Sequence, residues 1–272
     1  MIWKRLNPNT GEYEVIPGTG TNTENSNETI AMPDLTGKTI IFMGDSYTAG
    51  MSGIAKSMCA EFKANADIYG VVSSSIAGDR EGNKGFSPMW VRTQAVCQNY
   101  TSAGTEDDVA AVVFMGGAND GFGKTTWLGS GINDRDNLHI YGAMHTILGT
   151  FRKTFNCPVF VILQPTFPNG SLPTDITEEN AKIWGFDSVE QCQSFDADMW
   201  CQYAMTLKQN VVLDVAKYYG CKIVDCFFDH DISIWNSVER GKYWNADGHP
   251  SAAGYEKIVD RLKEKMVEYF AN

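Results

Sequence analysis

The 272-residue sequence has no long apolar run and comparatively few basic residues. No stretch approaches the roughly 20 apolar residues that a membrane-spanning helix needs, so no such helix is predicted. Lysine and arginine number 22 against 33 aspartate and glutamate residues, which gives a formal net charge of −11. Phosphate backbones and anionic membrane surfaces repel such a chain unless it carries a local basic patch, and none is evident. The sequence therefore predicts neither a nucleic-acid nor a membrane partner.

The first residues also lack the features of an export signal. The stretch MIWKRLNPNTGEYEV carries basic side chains, but no apolar segment follows them. This is not the pattern of a secretory signal peptide. The expected location is therefore cytoplasmic, with non-classical release or attachment to a larger particle as alternatives.

Cysteine pairs of the kind that hold metals are missing as well. The seven cysteines form an odd set without a CxxC spacing, and several stand inside apolar segments. This pattern indicates reduced thiols packed in a core rather than disulfides or a zinc site. The sequence predicts neither a metal nor a cofactor.

Two regions of the chain differ in composition. Residues 1–35 are rich in Asn, Thr, Gly, Glu and Pro and show little apolar periodicity, which is typical of a flexible arm or tether. Residues 36–272 alternate apolar runs with amphipathic stretches, which predicts one domain of the α/β class. The apolar runs predict strands over Lys38–Met43, Asp67–Val72, Val109–Met115, Pro158–Leu163 and Cys221–Val224.

Amphipathic spacing predicts the helices that connect these strands. They comprise one helix with Ile54, Met58 and Phe62 on its buried face, Tyr141–Phe155, Met199–Tyr219, and a closing helix that carries Tyr255 to Phe270. Residues 164–195 contain several prolines and no clear period. A loop of this length is commonly a lid or the wall of a pocket.

Three polar segments follow predicted strands. Gly44-Asp45-Ser46 follows the first strand, residues 116–120 (GGAND) follow the third, and residues 244–250 (WNADGHP) come after the last. Parallel strands bring their carboxyl ends to one edge of the sheet, where α/β proteins bind their ligands. We therefore expect these three segments to meet.

Ser46 is the candidate nucleophile among these residues. A serine hydroxyl is a weak nucleophile, so it needs an imidazole that accepts its proton. Of the four histidines, His139 and His145 lie at or within a predicted helix, and His230, in the triplet DHD, lacks further metal ligands. His249 stands in a Gly/Pro turn just before the final helix and is the candidate base.

Asn119 is the candidate donor to an oxyanion, since a side-chain amide is a common part of acyl-transfer sites. Simpler roles also fit these positions. Asn119 is a frequent turn residue, and Asp45 or Ser46 could cap the helix that follows. Aromatic residues near these segments suit either core packing or platforms for sugar rings: Tyr47, Trp127, Trp184 and Trp244.

The order of the three motifs is similar to that of a known family. GDS at 44–46, GGAND at 116–120 and DGHPSAAGY at 247–255 resemble the motifs of the SGNH hydrolases, the GDSL esterase/lipase superfamily. The resemblance implies a flavodoxin-like three-layer α/β/α sandwich with a mostly parallel, about five-stranded sheet. It also implies that Ser46 is the nucleophile, that His249 is the general base, and that Asn119 and the Ser46 N–H belong to the oxyanion hole.

The sequence departs from the family pattern at two positions. Where the family has an oxyanion-hole glycine, the aligned residue is Ser73, whose backbone N–H can serve equally, with Gly78 as the alternative. The family usually has its acid three residues before the histidine, where this chain has Ala246. Either Asp247, two residues before His249, orients the imidazole, or a backbone carbonyl does so in a Ser-His dyad.

These residues predict a serine esterase for short-chain acyl esters. O-acetyl groups on carbohydrate are the favoured substrates, since no apolar lid helix suited to long acyl chains is evident, and the expected partner is a small-molecule or carbohydrate ester. The alternatives are a non-catalytic carbohydrate-binding or appendage module, and a lipase or thioesterase of the same superfamily. A flavin or nucleotide binder of similar topology is disfavoured because the sequence has no Gly-rich phosphate loop.

Overall fold

The structure, a computed structural model, describes residues 4–6, 13–15, 32–78, 88–120, 128–168, 176–229 and 232–271. The chain divides into two units, Met1–Ala31 and Met32–Asn272. In the first unit, strands β1 (Lys4–Leu6) and β2 (Tyr13–Val15) pair in antiparallel fashion. The rest of the predicted arm as far as Ala31 lies outside the described residues, so its flexibility stays a prediction.

The second unit is built on a sheet that has five parallel strands within the described residues. They are β3 (Thr39–Gly44), β4 (Asn65–Gly70), β5 (Val109–Met115), β6 (Val159–Leu163) and β7 (Lys222–Asp225). Their order in the sheet is β4-β3-β5-β6-β7. Within this sheet the chain forms β3 first, then β4 on one side of it and β5 on the other. This reversal of direction is the switch point at which doubly wound sheets bind ligands. The predicted flavodoxin-like α/β fold is confirmed.

Helices connect the strands and cover the sheet. They are α1 (Ser46–Gly50), α2 (Ser52–Glu61), α3 (Met89–Ala103), α4 (Ile140–Thr154), α5 (Glu178–Ile183), α6 (Val189–Gln193), α7 (Ala197–Tyr218), α8 (Ser237–Tyr243) and α9 (Ala252–Phe270). None of the helices in the described ranges has the length and apolar character needed to cross a membrane.

Alternation along each strand divides the core into two layers. Ile41 and Met43 of β3 pack with α3, α4 and α7 on one face of the sheet, whereas Ile40 and Phe42 pack with α2 and α9 on the other. All four side chains are fully buried. A strand that is buried on both faces needs a continuous apolar run, and this is why the strand predictions over β3, β5 and β6 were close.

The structure differs from the sequence-based prediction at β4 and at α3. β4 covers Asn65–Gly70 instead of Asp67–Val72, because its register with β3 pairs Gly70 with Gly44 at the shared carboxyl edge. The 15-residue helix α3 was not predicted. Its buried positions include Thr93 beside Met89 and Val96, so the apolar stripe is interrupted.

The stretch 164–195 was wrongly predicted to be irregular throughout. It contains α5 and α6, and these short helices pack with the start of α7 around a small core of their own. That core includes Ala181, Trp184, Phe186, Cys192 and Trp200. Trp184 is therefore a core residue rather than an exposed platform.

Candidate active site

Ser46 lies at the junction of β3 and α1, at the switch point of the sheet. β3 ends at Gly44, where a Cβ atom would lie 2.2 Å from the Met115 carbonyl oxygen of β5, so only glycine fits there. The buried Asp45 then caps α1 by accepting a hydrogen bond from the Tyr47 N–H at 2.9 Å. Ser46 becomes the first residue of α1, and its N–H has no acceptor within the helix.

Asp45 is structural in this arrangement. Its second oxygen accepts a hydrogen bond of 3.4 Å from the Gln164 side chain. Burial raises the pKa of the Asp45 carboxyl to about 7, with the hydrogen bond from the Tyr47 N–H acting in the opposite direction. The helix-cap role considered from the sequence thus belongs to Asp45 and leaves the Ser46 hydroxyl available for another partner.

His249 is held by a tight turn between α8 and α9. Trp244 and Pro250 form an isolated antiparallel bridge, the Asn245 N–H donates to the His249 carbonyl at 2.8 Å, and Gly248 has a φ of 83°. A residue with a side chain rarely adopts that backbone conformation. The turn places His249 Nε2 2.9 Å from Ser46 Oγ, which is within hydrogen-bond distance.

Asp247 contacts the same imidazole from the opposite side. Its Oδ2 lies 3.3 Å from His249 Nδ1, and its Oδ1 accepts a hydrogen bond from the His249 N–H at 3.1 Å. That backbone hydrogen bond is the largest cause of a lowered Asp247 pKa. The side chain of Asp247 is 69% exposed, so the pair is in contact with water. Of the two orienting groups considered from the sequence, the carboxylate is the one beside Nδ1.

Asn119 lies after β5 and contacts the loop after β4. Its Nδ2 donates a hydrogen bond to the Ser74 carbonyl at 3.1 Å, and a second N–H of the same amide can serve a substrate oxygen. Ser73 has a φ of 61°, the left-handed backbone region that glycine favours. This matches the position where the family pattern has glycine. The alternative donor, Gly78, already donates its N–H to the Asn137 carbonyl at 2.9 Å.

Buried carboxamides that the sequence reasoning missed support the Asn119 loop. Gln164 Oε1 accepts a hydrogen bond from the Ala118 N–H at 3.0 Å. Gln209 accepts from the Gln164 N–H at 2.9 Å and donates to the Gly116 carbonyl at 3.2 Å. Gln164 directly follows β6, so its position at the carboxyl edge of the sheet could have identified it as a residue near the site.

Arg92 of α3 is a second missed residue. Its guanidinium donates to the Gly44 carbonyl at 3.2 Å and to Ser74 Oγ at 3.0 Å, and it also donates to the Tyr69 carbonyl. It therefore joins the ends of β3 and β4 to the Ser73-Ser74 loop. No sequence motif marks it, because α3 itself was not predicted.

The remaining candidates lie elsewhere. His139 Nδ1 is 2.9 Å from Asp134, and His145 is buried in α4. Within the described ranges, no three His, Cys, Asp or Glu side chains form a group that could hold a metal ion. Tyr47 and Trp244 are buried, while Trp127 and His230 fall outside the described residues.

Comparison with known proteins yields similarity in structure only. No family model matches the sequence, and no curated protein matches it. A solved protein from Lactobacillus plantarum superposes with a TM-score of 0.60 at 18% identity, over 86% of this chain and 98% of that one. A carbohydrate acetylesterase from Sinorhizobium meliloti gives a TM-score of 0.52 at 13% identity, over 85% and 99%.

A GDSL-type, lipase-like protein from Parabacteroides merdae gives a TM-score of 0.50 at 11% identity, over 87% of this chain and 97% of that one. At such low identity the similarity speaks for the fold. The resemblance to the SGNH hydrolases that was drawn from the three sequence motifs is confirmed for the fold. The chain has the α/β fold of the SGNH hydrolases.

Proposed function

We propose that the protein is a serine esterase in which Ser46 is the nucleophile and His249 is the general base. The observation that carries the proposal is the 2.9 Å contact between Ser46 Oγ and His249 Nε2. The Asp247 carboxylate at Nδ1 favours the tautomer that has its proton on Nδ1 and a lone pair on Nε2, the form that can accept the serine proton.

Acylation follows from this geometry. The Ser46 oxygen attacks the ester carbonyl carbon while its proton passes to His249 Nε2, and the carbonyl oxygen becomes an oxyanion. The Asn119 amide and the N–H groups of Ser46 and Ser73 are the proposed donors to that oxyanion. As the carbon–oxygen bond to the alcohol breaks, His249 Nε2 returns its proton to the departing alkoxide.

Deacylation repeats these steps with water. His249 accepts a proton from the attacking water, a second oxyanion forms at the same donors, and the Ser46 oxygen leaves and recovers its proton. Carboxylic acid is released and the starting state is restored. General-base assistance of this kind contributes about 10²–10⁴-fold to the rate.

Short acyl esters, and O-acetyl groups on carbohydrate in particular, are the proposed substrates. The carbohydrate acetylesterase from Sinorhizobium meliloti has the same fold, which supports testing this class first. The net charge of −11 disfavours phosphorylated or otherwise anionic esters through electrostatic repulsion.

The test is intact-mass analysis after exposure to a fluorophosphonate, with wild type and Ser46→Ala treated in parallel. A single adduct on the wild type and none on the variant is the expected result. Hydrolysis of p-nitrophenyl acetate and of acetylated xylo-oligosaccharides by the same two proteins would then establish turnover. A folded wild type that forms no adduct would overturn the proposal.

A non-catalytic carbohydrate-binding module of the same fold is the second candidate. The observation in its favour is the position of Asp247, which is displaced by one residue from the family pattern and 69% exposed on its side chain. A water-exposed carboxylate orients an imidazole less firmly than a buried one. Sugar binding without any adduct would make this candidate the better description.

A further inference from the structure

A second concave site lies at the same edge of the sheet as Ser46. It is a pocket of about 460 Å³, within the range of roughly 300–1,000 Å³ that is typical of small-molecule sites. Two isoleucines line it together with Thr166, Gln202, Thr206, Phe227, Phe228 and Trp235. These residues come from the segment after β6, from α7 and from the segment after β7.

The lining residues define the chemistry of a ligand. None of those that the structure describes is ionisable, so these lining residues offer no counter-charge to a phosphate or a carboxylate. The Gln202 carboxamide offers donors and an acceptor, while the Thr206 hydroxyl, which already donates to the Gln202 carbonyl at 2.7 Å, offers an acceptor. Trp235 and Phe228 are 57% and 48% exposed, which is unusual for such large apolar side chains. A neutral ligand with hydroxyl edges and an apolar face suits these groups.

The Thr166 hydroxyl gives an independent indication of a missing partner. Thr166 is only 3% exposed, and its Oγ1 has no hydrogen-bond partner among the described residues. Leaving a buried hydroxyl without a hydrogen-bond partner destabilises the structure. Because Oγ1 is itself closed to solvent, a sugar hydroxyl in the pocket that Thr166 lines supplies the missing hydrogen bond only once the Thr166 side chain has rotated towards it.

The pocket is also connected to the turn that carries His249. Thr166 is followed by Phe167 and Pro168, and a Cβ on Gly248 would lie 3.1 Å from the Pro168 carbonyl oxygen and 3.6 Å from the Phe167 ring. In the strand order β3-β5-β6-β7, strand spacing separates Ser46 from the pocket by about 10–14 Å. That separation is too large for an acetyl group at Ser46 to fill the pocket, but other units of the same glycan could reach it.

We propose that this pocket binds a neutral pyranose ring of a glycan, with Trp235 as its stacking platform and Thr166, Gln202 and Thr206 as its polar contacts. The inference rests on the proposed function, since the ring belongs to the carbohydrate whose acyl group is bound at Ser46. It adds a subsite distant from the scissile ester, and it predicts a preference for oligosaccharide esters over monosaccharide esters.

The test measures binding in the absence of turnover. Ser46→Ala protein is titrated calorimetrically with xylotetraose, mannotetraose and chitotetraose, all unacetylated, at up to millimolar concentration. At least one is expected to bind. Trp235→Ala should weaken that binding about tenfold, which corresponds to about 1.4 kcal/mol, because the stacking platform is lost, whereas Trp235→Phe should retain most of it.

Val238→Ala is the matched control, because Val238 is 77% exposed on the neighbouring helix α8 and does not line the pocket. It should leave both sugar binding and p-nitrophenyl acetate hydrolysis unchanged. Binding that Trp235→Ala does not alter, or no binding of any of the three sugars, would overturn the subsite. The fluorophosphonate adduct is measured separately, so an adduct without sugar binding rejects the subsite alone, whereas sugar binding without an adduct rejects the esterase alone.

Discussion

The Tyr47 hydroxyl donates a hydrogen bond of 2.9 Å to the Gly248 carbonyl. Tyr47 directly follows Ser46, and Gly248 directly precedes His249, so one bond joins the neighbours of the candidate nucleophile and base. The Tyr47 ring also lies 5.5 Å from the imidazole, centroid to centroid. Burial keeps the Tyr47 pKa well above its ordinary value, and the hydroxyl therefore stays a donor at neutral pH.

Tyr47→Phe tests whether this bond positions the histidine. The variant keeps the ring and loses the hydrogen bond, so kcat should fall about tenfold while KM stays close to wild type. Thermal unfolding should show a loss of about 1 kcal/mol. Tyr255→Phe is the matched control, because it removes a hydroxyl from the ring that packs edge-on against Tyr47 and not from the Gly248 contact. Equal kinetics for the two variants would contradict a positioning role.

Asp247→Asn tests the orienting carboxylate. Because the side chain is 69% exposed, water can partly replace it, and we expect kcat to fall about 10–100-fold, less than the roughly 10⁴-fold known for a buried triad aspartate. The exposed pair should also be sensitive to salt, so that wild-type kcat falls with ionic strength more steeply than that of the variant.

Asp107→Asn is the control for that experiment, since Asp107 precedes β5 at the opposite edge of the sheet. It should keep wild-type kinetics. Wild-type kcat in Asp247→Asn would instead support a Ser-His dyad oriented by another group.

Asn119→Ala tests the proposed oxyanion donor. Loss of one such donor costs about 10²–10³-fold in kcat, with a smaller change in KM, because the interaction is strongest in the transition state. The side chain also holds the Ser74 carbonyl, so the variant should be checked by circular dichroism. Asn99→Ala, on the exposed face of α3, is the control. A change confined to KM would contradict the assignment.

Asp45→Asn tests the buried carboxyl through the pH dependence of stability. The folded-state pKa of about 7 lies above the ordinary 3.8. Between these values the folded protein binds more protons than the unfolded chain, so the free energy of unfolding falls as the pH rises. The loss is no more than about 4 kcal/mol.

Asparagine keeps the helix cap and cannot ionise. Urea unfolding from about pH 4 to about pH 8 should therefore show a downward slope for wild type that is absent in Asp45→Asn. Parallel profiles for the two proteins would show that folding does not raise the pKa of Asp45.

Much of the sheet could be predicted from the sequence because its strands are buried on both faces. Val109–Met115 was predicted with its exact bounds, since no polar side chain can stand inside such a strand without a partner. A different rule, that ligands bind at the carboxyl ends of parallel strands, led to the prediction that Ser46 and the His249 turn meet, and these two residues are in contact.

The helices and supports that were missed depend on tertiary contacts. The buried face of α3 includes the polar Thr93, so its apolar pattern is incomplete. α5 and α6 become stable by covering Trp184 and Trp200, and the apolar spacing within these short segments does not reveal that contact. Arg92 contacts carbonyl groups at the ends of two strands, and backbone acceptors leave no trace in a sequence. The sequence also left open which group lies beside His249 Nδ1, because a one-residue shift in a turn changes which group reaches the imidazole.

Ser46 and His249 stand 203 positions apart, and this separation has a consequence for synthesis on the ribosome. The last strand of the sheet that the structure describes ends at Asp225, so a nascent chain can assemble all five described strands while it still lacks its base. Under the proposed function, such a chain is catalytically silent. Esterase activity therefore appears only when the turn that carries His249 has emerged and docked. The moment at which activity first appears during translation would show when the fold is complete.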